Sequence, residues 1–231
     1  EIGVGGLPAV RRWPFEYKAG FSPFDVLEEY TRPARVVEKG EMVVKEALSG
    51  LKLIDVPEIG TLESFITDGL RSLGDTVKVP NMEERTLRWP GHAALMKIFR
   101  ETGLFSLDPI DVKGVTLRPR DVTAALLFPK WTFDEGEEDI TVMKVTAWGE
   151  KAGRAAVAGF DFFDRYDAES RLRSMSRSTG YTATAVASLI LDGTIADPGV
   201  HMPETLALRP GLLDRVFEHL RARKIRCAMF T

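Results

Sequence analysis

The sequence predicts an α+β fold: a mixed, largely antiparallel sheet with helices packed on one face. Three observations carry that prediction. Strand-like segments come in hairpin pairs, as at Ala34–Val44 and Ile140–Phe163. Helical segments are marked by caps and closing glycines rather than by position in a repeat. Strands and helices do not alternate regularly, which argues against a doubly wound sheet. With 231 residues, 44% of them hydrophobic, the chain is long enough to bury a sizeable core.

The elements follow in order. Ile2 to Pro8 reads as a short strand, and Phe15 to Phe21 as a second one. Ser22 is an N-cap and Pro23 a first-turn proline for a helix to about Tyr30, which stops before Pro33. Ala34 to Val44 is a hairpin turning at Lys39-Gly40. Thr61 to Leu73 mixes helix and turn signals, with a break at Asp68-Gly69. Glu84 to Trp89 is a strand ended by Pro90-Gly91, and His92 to Thr102 is a helix closed by Gly103. Pro119 opens another helix containing Val122, Ala125, Leu126 and Phe128. Ile140 to Trp148 carries apolar groups on both faces, so it is a central or interface strand. A five-residue turn, Gly149 to Gly153, returns it to Ala155–Phe163. Thr179 to Leu191 is an alanine-rich helix closed by Gly193. Pro210 opens the last helix, with Leu212, Leu213, Val216, Phe217 and Leu220 as its apolar stripe, and Ile225 to Phe230 finishes extended.

Composition excludes several classes. Net charge is −3, from 31 basic and 34 acidic residues, so there is no electrostatic footprint for nucleic acid or a membrane surface. No apolar run approaches the ~20 residues of a bilayer span. The single cysteine, Cys227, lies in an apolar run and reads as an inert core thiol, in keeping with a reducing, cytoplasmic setting. The three histidines, His92, His201 and His219, lack zinc-ligand spacing, so no metal is expected. Gly3-Val-Gly5-Gly6 is not a dinucleotide fingerprint, because no full strand precedes it and no helix follows. The acidic stretch Asp134 to Asp139 reads as a solvated loop. The chain starts at Glu1, directly in strand-like text, as an excised piece of a longer chain would.

Polar residues cluster at element ends: Tyr17-Lys18, Ser22, Thr67-Asp68 with Arg71, Arg88 with His92, and Arg177 to Tyr181. Each has a structural role open to it. Ser22 and Thr179 serve as caps, Asp68 as a turn former, Arg88 as the partner of a structural carboxylate, and His92 as a first-turn residue.

Taken together these segments resemble the saccharopine dehydrogenase family, most closely its lysine 6-dehydrogenase-like members. The matching text includes Val4-Gly-Gly-Leu-Pro8, Tyr17-Lys18, Ser22-Pro23, Arg32-Pro33-Ala34 and Phe65-Ile-Thr-Asp-Gly-Leu-Arg-Ser-Leu73. It continues with Arg85-Thr-Leu-Arg-Trp-Pro-Gly-His92 and Ser174-Met-Ser-Arg-Ser-Thr-Gly-Tyr-Thr-Ala183. The resemblance implies an oxidoreductase that oxidises a CH–NH bond of lysine or saccharopine. NAD or NADP is bound by a separate Rossmann domain, and no cofactor is expected on this chain. Residues 1–200 would be the substrate-binding and dimerisation domain, and 201–231 would pack near the Rossmann domain. The sheet would form a homodimer. By position in the motifs, Arg88 is the carboxylate clamp, with Arg71 as second choice, because a guanidinium binds carboxylate in two places. Asp68 with Thr67 accepts the substrate ammonium, Phe21 and Ser22 line the pocket, and Lys18 or His92 is the general base. The alternatives are a dimerisation or ligand-binding module that lost the chemistry, and an enzyme of the same superfamily acting on a carboxylated polyamine.

Overall fold

The computed structural model describes residues 1–231. In chain order the elements are β1 (Ile2–Pro8), α1 (Pro23–Thr31), β2 (Ala34–Glu38), β3 (Glu41–Lys45), β4 (Lys52–Val56) and β5 (Gly60–Thr67). Next come α2 (Leu73–Thr76), β6 (Glu84–Arg88), α3 (His92–Glu101), β7 (Ile110–Val112), β8 (Val115–Leu117) and α4 (Pro119–Trp131). The chain ends with β9 (Asp139–Lys151), β10 (Arg154–Arg165), α5 (Ser174–Leu191), α6 (Pro203–Leu206), α7 (Leu212–Arg221) and β11 (Arg226–Phe230).

The fold is α+β. Seven strands form one sheet in the order β11-β10-β9-β1-β6-β5-β4. Only β1 and β6 pair in parallel; the other neighbours are antiparallel. Because strand side chains alternate, register fixes the faces. Val4 and Gly6 share a face with Glu84, Thr86 and Arg88, with Phe65 and Thr67, and with Met143 and Phe162. All the main helices pack on that face. Over its β5 end lies a core of α1, α3 and α4 residues, including Tyr30, Met96 and Trp131, on Phe65. Over its β10 and β11 end, α5 and α7 pack Leu189, Val216 and Phe217 on Phe162 and Cys227. The opposite face curls on itself around Leu7, Leu62, Leu87 and Val142. The curl brings the β4–β5 turn to the far edge, where Arg226 pairs with Glu58 at 2.7 Å. The C-terminal segment thus contributes α7 to a helical layer and β11 to the sheet edge.

Several sequence expectations need correction. Phe15 to Phe21 is not a strand: Ala19 N–H donates to the Trp131 carbonyl, and Phe15 and Tyr17 point into the helical core. Thr61 to Thr67 is β5, not helix or turn. It reads poorly because both faces are buried and alternation is lost. The strand β4 and the small β7–β8 hairpin carried no clear signal. The β9–β10 turn is only Ala152-Gly153, both at positive φ, the geometry of a two-residue hairpin loop. In α4 the buried apolar positions are Ala124, Leu127 and Trp131, while Val122 and Leu126 are exposed. The helix α5 begins at Ser174, five residues early, so Thr179 lies within it and is not its cap.

The caps of two helices come from the sheet. Buried Asp139 accepts the N–H groups of Ser174 (2.7 Å) and Met175 (3.1 Å) at the start of α5. Buried Glu63 does the same for Gly91 (2.8 Å) and Ala93 at α3. A carboxylate there meets both the free N–H groups and the positive end of the helix dipole. Asp139 is therefore a structural group, not part of a solvated loop.

Candidate functional site

A cleft of about 200 Å³ opens on the helical face of the sheet, between α1 and the start of α5. Its floor is Val4, Gly5 and Gly6 of β1 with Glu84, Thr86 and Arg88 of β6; α1 contributes Glu28, Glu29 and Arg32, and α5 contributes Met175. The glycines create the space. A side chain at Gly6 would meet the Met175 methyl, and one at Gly69 would meet the Glu84 carboxyl. Four carboxyl groups and three guanidinium groups face the cleft, a mixture suited to a zwitterion rather than to a simple anion.

The cleft gathers Phe21, Thr67, Asp68, Arg71 and Arg88, five of the eight residues singled out from the sequence. Ser22 lies just outside, exposed at the start of α1, where its carbonyl accepts the Val26 N–H. Lys18 and His92 are elsewhere. Lys18 sits in a second depression with Trp13 and Lys130. Its Nζ donates to the Thr132 carbonyl at 2.7 Å and pairs with Glu137 at 2.9 Å. Tyr17 and Lys18 are adjacent in the chain, so one side chain enters the core and the other leaves it.

His92 is 2% exposed at the start of α3. Its Nδ1 lies 3.0 Å from the Phe15 carbonyl, which can only accept, so Nδ1 carries the proton. Its Nε2 then accepts from the Tyr30 hydroxyl at 2.8 Å. Burial, and then the nearby Arg88 charge, lower its pKa from 6.5 to about 3. The ring is a neutral, fully bonded link between the Phe15 loop, α1 and α3.

Arg88 is 3% exposed. It lies over the Tyr17 ring at 4.6 Å, and its Nη2 donates to Glu29 at 2.6 Å. Its Nε has no partner. Arg71, by contrast, is exposed, sits at a left-handed φ of 50° and forms no ion pair. Asp68 is already held in a fork by Arg35, at 2.9 Å to Nε and 3.2 Å to Nη2, with Arg32 at 3.8 Å. Burial works to raise its pKa, but the Arg35 hydrogen bonds outweigh it and the pKa is lowered.

Three carboxyls of the cleft were missed from the sequence: Glu28, which pairs with Arg120, Glu29, the partner of Arg88, and Glu84. Glu84 is 6% exposed, and its Oε2 accepts the Thr67 hydroxyl at 2.6 Å. Burial first, and then Glu29, raise its pKa to about 7, although Thr67 and the Gly69 N–H favour the charged form. The signal was present in the period-two pattern Glu84, Thr86, Arg88, which puts three polar groups on one face of a strand.

The glycine-rich start of the chain is part of strand β1, not a dinucleotide loop. Gly5 faces the Leu87 backbone, where an added Cβ would lie 2.6 Å from the carbonyl oxygen, so the glycine-rich segment serves close strand packing rather than a phosphate cradle. No group of three His, Cys, Asp or Glu side chains is arranged to hold a metal ion. No helix is long and apolar enough to cross a membrane.

The architecture has a known counterpart. Apo saccharopine dehydrogenase (L-Glu forming) from Saccharomyces cerevisiae superposes with a TM-score of 0.78 at 17% identity. The match covers 100% of this chain and 66% of the yeast chain. At that identity the likeness is one of fold. The family profile of the saccharopine dehydrogenase C-terminal domain matches residues 1–225. With nearly the whole chain matched, it belongs to the saccharopine dehydrogenase family, as a C-terminal domain.

Proposed function

We propose that this chain is the substrate-binding part of an amino-acid oxidoreductase that acts on a CH–NH bond of lysine or saccharopine, as in the lysine 6-dehydrogenase-like branch. One observation carries the reading: the cleft over β1 and β6 collects carboxyl and guanidinium groups from three separate segments around a glycine-cleared floor. A packed core does not need such a mixture, and an amino acid does. Arg71 offers a guanidinium with no ion pair to a carboxylate, and the buried Arg88 adds its positive charge. NAD or NADP would be carried by a separate nucleotide-binding domain, so this chain's part is to bind, orient and neutralise the amino acid. Comparing this chain with a version extended upstream by its native sequence tests the assignment, with L-lysine, saccharopine and a carboxylated polyamine as substrates. Activity only in the extended form supports it. Binding of none of these ligands by either form would leave a module that keeps the fold without the chemistry.

A homodimer is part of the same proposal, formed through the sheet. The β9–β10 hairpin supports it: Trp148 and Val157 are directly paired, share a face, and are 63% and 45% exposed. A second copy of the sheet would cover this exposed pair.

A further inference from the structure

We propose that Glu84, backed by the Thr67 hydroxyl, receives a protonated amine of the ligand, while an arginine of the same cleft takes the carboxylate. This rests on the amino-acid reading above and deepens it by assigning the amine end. Lys18 and His92 lie outside the cleft, and the three rival carboxylates are engaged. Asp68 is held by Arg35 through both oxygens, Glu29 is paired with Arg88, and Glu28 is paired with Arg120 at 2.5 Å. Glu84 has no ion pair. Its Oε2 accepts from Thr67, and its Oε1 accepts no hydrogen bond while the residue lines the cleft.

The hydroxyls behind it have a direction. Thr67 has one hydrogen and gives it to Glu84, so the Thr86 hydroxyl, 2.8 Å away, donates to Thr67. The chain Thr86 to Thr67 to Glu84 ends on a carboxylate with one oxygen still open. Gly69 lies so close that any side chain there would displace the carboxyl. The groups facing Glu84 are Thr67 and the Gly69 N–H from β5 and the turn after it, Arg88 from its own strand, and Glu29 from α1. Asp68, Glu28, Arg32 and Arg71 line the same cleft, and Met175 of α5 adds no charge.

Spacing bears on the ligand. Glu84 and Arg88 are four residues apart on one strand face, so their Cα atoms are about 13 Å apart. Groups rooted at separate backbone positions, each taking one end of the ligand, favour an amine and a carboxylate separated by a carbon chain over a pair carried on a single carbon. 6-Aminohexanoate has only the separated pair, and norleucine only the adjacent one.

The test is calorimetric titration of wild type and Glu84→Gln with L-lysine, 6-aminohexanoate and norleucine between pH 6 and 8. The amide oxygen of glutamine still accepts from Thr67, so the network behind it is kept. In wild type, affinity for lysine and 6-aminohexanoate rises across that range. Binding at pH 7 releases about half a proton per ligand, read from two buffers of different ionisation heat, as expected for a carboxyl half-protonated there. In Glu84→Gln the pH slope and the proton release vanish and affinity falls about tenfold, as for a lost charge-assisted hydrogen bond. Norleucine binding changes little. Lysine binding by the variant with wild-type affinity and slope would overturn the Glu84 assignment and leave the amino-acid reading standing. Failure of all three ligands to bind wild type would overturn both. Proton release needs only wild type, so its absence when lysine binds counts against Glu84 even if the variant does not fold.

Discussion

Arg71 and Arg88 occupy one cleft, yet truncating them would break different things. Arg88 looked from its motif like a clean binding residue, but it is buried over the Tyr17 ring and salt-bridged to Glu29. Removing it leaves the half-buried Glu29 carboxylate without its partner, which costs about 1–3 kcal/mol. Arg88→Ala should therefore lower the urea midpoint sharply, whatever it does to binding. Arg71 has no such partner, so Arg71→Ala should unfold within about 0.5 kcal/mol of wild type and weaken carboxylate ligands. If Arg71→Ala binds lysine unchanged, the clamp is Arg88 alone. The sequence placed both arginines and could not rank them, because burial of Arg88 depends on Glu29 of α1, 59 positions away. The same holds for His92. The order Trp89-Pro90-Gly91-His92 announces a helix start, but the hydroxyl and carbonyl that occupy its ring come from Tyr30 and Phe15.

At the scale of elements, what was legible had local causes. The α1 start at Ser22-Pro23, the Lys39-Gly40 turn and the Gly103 and Gly193 stops are fixed by residues that favour one backbone geometry, and the structure has each of them. What was missed depended on distant partners. The strand β5 is buried on both faces by helices and by the sheet's curl, and α5 starts early because Asp139, 35 residues upstream, caps it. Asp139→Ala should strip the first turn of α5 of its acceptor and cost about 1–3 kcal/mol in a thermal or urea melt. An unchanged melt would mean that α5 holds its N-terminus by packing alone. The β9–β10 hairpin has its own test. Trp148→Asp should turn a dimer into a monomer in light scattering, with near-native circular dichroism. A wild-type monomer at high concentration would remove the sheet-dimer proposal.

Across the whole molecule, two buried groups pull stability in opposite directions with pH. Glu84 holds its proton to about pH 7 when folded but only to about 4.5 when unfolded. Between those values the folded state binds more protons, so its contribution to stability falls as pH rises. His92 is neutral in the fold down to about pH 3, whereas the free ring protonates near 6.5. There the unfolded state binds more protons, so stability is lost as pH falls through the window. The windows overlap from 4.5 to 6.5, where the two slopes, each about 1.4 kcal/mol per pH unit at most, cancel. Below 4.5 only the His92 loss remains, and from 6.5 to 7 only the Glu84 one. Each single variant should unmask the other group. Relative to wild type, Glu84→Gln gains stability progressively from pH 4.5 to 7. His92→Gln loses the acid-side decline, so its deficit against wild type shrinks as pH falls from 6.5 toward 3. Urea unfolding at half-unit pH steps reads both differences, and subtracting wild type removes every other titrating group. If Glu84→Gln runs parallel to wild type from pH 4.5 to 7, Glu84 is ionised throughout and ligand binding should release no proton. One stability series therefore tests, without any ligand, the carboxyl on which the amine site depends.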